Sequence, residues 1–111
     1  MGTNVTDEQV QQLAATARPY SLALLWWADR QRDGAEATER EHQRRMVSLR
    51  ADGVIAVLCP VLSDDLAGAA VLTVPLDEAR EVMDADPCVR AGMMRCEVRS
   101  CLGFPGDVLP G

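Results

Sequence analysis

A chain of 111 residues, 48% of them hydrophobic, is long enough for one globular domain with a core and too short for two. A formal charge of −6 opposes binding to a phosphate backbone or an anionic bilayer, so neither nucleic acid nor membrane is an expected partner. All eleven Lys/Arg positions are arginine, which excludes Schiff-base and general-base chemistry at lysine.

The opening Met1-Gly2-Thr3-Asn4-Val5 has neither the basic nor the apolar segment of a secretory signal. No apolar run reaches bilayer length, and a cytoplasmic location is expected. The four cysteines, Cys59, Cys88, Cys96 and Cys101, contain no C-x-x-C pair and match no zinc spacing. Reduced thiols are expected, several of them buried.

Thr6-Asp7-Glu8-Gln9 has the form of a capping box, followed by Val10, Leu13, Ala14 and Ala17 at helical spacing. This predicts a short amphipathic helix ending before Pro19. Residues 1–18 are read as an N-terminal helical extension and residues 19–111 as the single main domain. Tyr20 to Trp27 is a continuous apolar run of strand length with two apolar faces. After the polar stretch Ala28–Asp33 and the loop at Gly34, a helix is predicted from about Ala35 to Arg50. Its composition is almost wholly polar, yet His42, the one histidine of the chain, shares a stripe with Met46 and Leu49.

Gly53 is placed just past the end of that helix. A second strand, Val54 to Cys59, stops at Pro60, and a loop at Ser63-Asp64-Asp65 leads to a third strand from Leu66 to Val74. Pro75 opens the next helix, whose core face is Leu76, Ala79, Val82 and Met83. Pro87 disfavours helical backbone at Asp86, so this helix ends at an Asp86-Pro87 corner. A fourth strand is expected to follow from Met93 to about Cys101, with Met94, Cys96 and Val98 on one face and Arg95, Glu97 and Arg99 on the other. The Gly- and Pro-rich tail has no regular pattern.

The order is therefore a helix followed by β-α-β-β-α-β, an α+β chain. Right-handed crossovers give a ferredoxin-like four-stranded antiparallel sheet with the helices on one face. The opposite face of the sheet is apolar along Tyr20–Trp27 and Val54–Cys59 and needs a cover. A second copy packed sheet to sheet is the expected cover, which makes a homodimer the expected state.

The segment Met83-Asp84-Ala85-Asp86-Pro87-Cys88-Val89-Arg90-Ala91-Gly92, with Glu41-His42, Asp52-Gly53 and the closing Leu102-Gly103-Phe104-Pro105-Gly106-Asp107, resembles the YCII-related family of dimeric α/β-barrel proteins. The resemblance runs from about Tyr20 to Phe104. It implies a ferredoxin-like dimeric α/β barrel and a pocket holding a histidine–aspartate pair, here His42 and Asp86. Cys59-Pro60 departs from the Gly-Pro usual in that family and places a side chain at the end of the second strand.

For His42 the choice lies between a hydrogen-bonded core histidine and a general acid/base, for which imidazole is the commonest side chain. Asp86 is either a turn opener or the partner that orients the imidazole, with Asp52 as the rival partner. Trp26, Cys59 and Arg95 are candidate substrate-binding residues; guanidinium groups at Arg90, Arg95 and Arg99 suit an anion, though a solvated strand face accounts for them equally. A nucleophilic role for Cys88 is disfavoured because nothing in the sequence lowers its pKa. No cofactor and no metal is expected, since there is no Gly-rich phosphate loop and a lone histidine with scattered carboxylates is a thin ligand set.

Two functions remain. One is a cofactor-free enzyme of lyase, isomerase or dehydrohalogenase type, acting on a small apolar or aromatic molecule by proton transfer through His42 and Asp86. The other is a non-catalytic dimeric protein that binds a small ligand. A cofactor-free oxygenase is suggested only by analogy with other dimeric α/β barrels.

Overall fold

The computed structural model describes residues 3–111; Met1 and Gly2 of the predicted N-terminal extension lie outside the described residues. The elements are α1 (Asp7–Ala14), β1 (Arg18–Trp27), α2 (Ala35–Ala51), β2 (Ile55–Pro60), β3 (Leu66–Leu72), α3 (Leu76–Asp84), α4 (Pro87–Arg90) and β4 (Met94–Gly103). The strands form one sheet in the order β2-β3-β1-β4. Every neighbouring pair is antiparallel. This α+β arrangement, an open four-stranded sheet with four helices, is compatible with the ferredoxin-like order predicted above.

Register explains which residues are buried. Ser21, Ala23, Leu25 and Trp27 share one parity of β1 and pair with Leu72, Ala70, Cys96 and Met94 on the flanking strands. Ala23, Leu25, Ile55, Ala70, Leu72 and Met94 join Met46 of α2 and Ala79 and Met83 of α3 in one core cluster. The two long helices thus cover the same face. Ser21 is a polar residue within this layer, and its hydroxyl donates to the Val74 carbonyl at 2.9 Å. The other parity, Tyr20, Leu22, Leu24 and Trp26, lies on the uncovered face beside Ala69 and Val71 of β3 and Arg95, Glu97 and Arg99 of β4.

Local chemistry sets the element ends. Both hydrogen bonds of the predicted capping box are present, Gln9 N–H to Thr6 Oγ1 at 3.2 Å and Thr6 N–H to Gln9 Oε1 at 2.8 Å. The helix they start, α1, buries none of its residues. The α2 helix ends on Asp52, and Gly53 follows with φ +77°, the left-handed backbone that suits glycine. Pro60 closes β2 from within the strand, which is tolerated because β2 is an edge. A register shift between Ile55 and Val57 bulges the same edge.

The expected passage from the Asp86-Pro87 corner directly into a strand is corrected. Pro87 does end the preceding helix, but it also stands at the first position of a one-turn helix, α4. Its missing N–H costs nothing there and its fixed φ is already helical. Strand β4 then begins at Met94 and runs two residues beyond the expected Cys101, while β3 stops at Leu72 short of Val74. Gly103, at the end of β4, lets the Tyr20 ring approach so closely that an added Cβ would lie 2.9 Å from its Cδ2. Among the described residues, no helix is long and apolar enough to cross a membrane.

Candidate active site

Asp86 has extended backbone, φ −65° and ψ 137°, and caps α4 with its side chain. Oδ2 accepts from the backbone N–H of Cys88 at 3.0 Å and of Val89 at 3.4 Å. The cap places a carboxylate with no solvent exposure beneath α2. His42 descends on it from the inward stripe of α2, and its Nδ1 lies 2.8 Å from both carboxylate oxygens. Arg45, one turn further along the same helix, brings Nη1 to 3.8 Å from Oδ1 and donates from Nη2 to the Val82 carbonyl at 2.6 Å.

The two backbone N–H groups and the Arg45 guanidinium that face the Asp86 oxygens are donors. A carboxylate that accepts from Nδ1 assigns the imidazole proton to that nitrogen and leaves the Nε2 lone pair free. His42 retains 13% side-chain exposure and lines a cavity of about 230 Å³ between α2 and the sheet. Leu25, Trp27, Met46, Leu58, Ala70 and Met94 supply apolar wall, and Glu39, His42 and Gln43 supply its polar side chains. Carboxylate, imidazole and cavity thus follow one another in that order.

Cys88 sits beside the pair, fully buried, its Sγ 3.8 Å from the Thr38 carbonyl. Donor atoms of His42, Asp86 and Cys88 all fall within 4.8 Å of one another. Burial, and then the negative charges of Asp86 and Glu39, push the Cys88 thiol up to about 12. A protonated thiol is a poor nucleophile. This cysteine packs against the pair and donates to Thr38.

The candidate residues named from sequence separate into two groups. His42 and Asp86 meet, whereas Asp52 is an exposed residue at the end of α2. Cys59 lines the cavity, at the strand end where it pairs with Ala69. Trp26 and Arg95 pair with each other across β1 and β4 on the uncovered face of the sheet, away from His42. The tryptophan of the cavity is Trp27, with the Arg30 guanidinium 3.7 Å above its ring. Arg30 Nε is also 4.0 Å from Glu39 Oε1.

Arg45 and Glu39 did not emerge from the sequence reading, and of the Trp26-Trp27 pair it chose Trp26 over Trp27. The signal for the first two lay in helix geometry, since positions three before and three after His42 share its face. For Trp27 it lay in strand parity with Ser21, Ala23 and Leu25, the small and aliphatic residues that fit under helices. No family model matches the chain, and no curated protein does.

Proposed function

We propose that this chain is a cofactor-free enzyme that moves a proton on a small, largely apolar substrate, with His42 as the base and Asp86 as its orienting partner. The observation that carries the reading is the 2.8 Å contact of His42 Nδ1 with a fully buried carboxylate, made by a histidine that also lines a cavity. With its proton on Nδ1, His42 takes a substrate proton at Nε2, and Asp86 stabilises the imidazolium that forms. Return of that proton to a different substrate atom is an isomerisation. If the electron pair of the broken C–H bond instead forms a C=C bond and a leaving group departs from the adjacent carbon with the pair of its own bond, the step is an elimination, of which dehydrohalogenation is one case. The two backbone amides and Arg45 keep the carboxylate in place throughout.

Membership of the YCII-related family is part of this proposal, supported by the strand order and by the meeting of His42 with Asp86. So is a homodimer closed through the uncovered sheet face, supported by the apolar row Tyr20, Leu22, Leu24 and Trp26 along its central strand.

Deuterium incorporation from heavy water into small unsaturated carbonyl compounds and phenols tests the chemistry. Wild type is expected to accelerate exchange at an acidic C–H, and His42→Gln to lose roughly 10²–10⁴-fold of that acceleration with its fold intact. Full exchange activity in His42→Gln sinks the proposal. A binding protein with the same cavity retains the compound and leaves exchange at the background rate.

A further inference from the structure

We propose that the cavity selects an uncharged compound about the size of a substituted benzene and turns away its anionic analogue, with Glu39 as the residue that makes the distinction. The inference deepens the reading above and rests on it for one point, that His42 is the group facing the ligand.

Size comes first. A cavity of about 150 Å³ accommodates benzene. The volume beneath α2 is about 230 Å³, enough for a ring carrying one or two small substituents. Its walls are the aliphatic and thioether side chains of Leu25, Met46, Leu58 and Met94, completed by the indole of Trp27, one face of which Arg30 covers.

Charge then decides the class. Among the described residues no arginine lines this cavity. Arg45 does not line it: its Nη1 lies 3.8 Å from Asp86 Oδ1 and its Nη2 donates to the Val82 carbonyl. Arg30 lies over Trp27 and beside Glu39 without lining the space itself. Two carboxylates remain, Glu39 in the wall and Asp86 behind His42. A ligand carboxylate entering here meets the negative charge of Glu39 with no arginine in the wall to answer it, and neutral His42 offers it no proton at Nε2. An uncharged ligand meets the free Nε2 of His42 as an acceptor for its O–H or N–H, and the Gln43 amide as a group able to donate or accept.

Glu39 precedes His42 by three residues and shares its face of α2, so the two bracket the same ligand. Arg30, 4.0 Å from Glu39, partly screens its charge. The preference for an uncharged ligand is therefore adjustable from both directions: removing Glu39 weakens it and removing Arg30 strengthens it.

Benzamide and benzoate have nearly the same shape and differ in charge, which makes them the probes. Each is titrated into the intact protein while the ring resonances of its single histidine are followed by NMR. Benzamide is expected to bind wild type at least about tenfold more tightly than benzoate. Glu39→Gln, which keeps the side-chain shape, should bring the two within about twofold, and Arg30→Gln should widen the gap. Equal binding of both probes to wild type overturns the proposal. So does a preference unchanged in Glu39→Gln, or the failure of benzamide to move the His42 resonances. None of these readouts needs turnover, so a failed exchange assay with intact benzamide selectivity removes the catalytic reading alone.

Discussion

Arg45 Nη1 lies 3.8 Å from Asp86 Oδ1, the same oxygen that His42 Nδ1 contacts at 2.8 Å. The carboxylate therefore answers to two cationic or potentially cationic side chains on one helix, and the shorter contact fixes the imidazole. The proton of neutral His42 is expected on Nδ1. Nitrogen-15 chemical shifts of the ring read this directly, and a proton found on Nε2 refutes the assignment. In Asp86→Asn the bias toward that tautomer should disappear.

Loss of the carboxylate should also be felt in stability. Asp86→Ala removes the cap of α4 and strands a partly buried guanidinium, and a cost of about 3 kcal/mol is expected from urea denaturation. Arg45→Met removes a cation and leaves the His42 contact in place, so a smaller loss of about 1 kcal/mol is expected. A neutral Asp86→Ala substitution contradicts the account of the site.

Two shielded thiols, buried Cys88 and half-buried Cys96, give the protein an alkaline limit. Burial first, and nearby carboxylates second, push Cys88 and Cys96 up to about 12. Below the ordinary thiol value of about 9 both folded and unfolded chains keep these protons, and no penalty arises. Between there and about 12 the unfolded chain releases protons that the native chain retains, so stability falls as pH rises. The decline in melting temperature over this window should be shallower in Cys88→Ala and in Cys96→Ala. At pH 8 iodoacetamide should modify exposed Cys59 first and buried Cys88 last.

Gly103→Ala tests a contact with no polar component. The new methyl would lie 2.9 Å from Cδ2 and 3.1 Å from Cε2 of Tyr20. A cost of about 1–3 kcal/mol in thermal unfolding is expected, because the ring or the strand has to move. Trimming Tyr20 to Leu in the same chain should recover most of it.

The proposed homodimer is tested by charge. Leu24→Arg places a guanidinium in the middle of the uncovered row between Leu22 and Trp26, and sedimentation should then report a monomer. Unaltered sedimentation of a dimeric wild type moves the interface elsewhere.

Much of the fold was legible because it rests on patterns of period and punctuation. The capping box at Thr6, the apolar run at Tyr20–Trp27 and the stops at Gly53 and Pro87 each have a local cause. Asp86 and His42 could be paired from the sequence through the resemblance, across 44 positions, whereas Arg45 needed coordinates. An arginine flanked by Arg40, Glu41, Arg44 and Arg50 within five residues looks like a solvated face until the orientation of the helix is known. The Trp26-Trp27 pair failed for a related reason. Both faces of β1 are apolar, so composition could not say which indole lies under the helices, and only register does. The one-turn helix at Pro87 was hidden because proline ends one helix and begins the next with the same ring.

The bulge and Pro60 on β2 have a further consequence. An edge strand offers unpaired amides and carbonyls to any passing extended chain, which is how sheets lengthen into fibrils. On β2 the ladder is interrupted between Ile55 and Val57 and ends on a residue with no N–H. At the opposite edge β4 alternates Arg95, Glu97 and Arg99 along its outer face. Copies of this protein are therefore hindered at both edges from extending their sheets strand to strand.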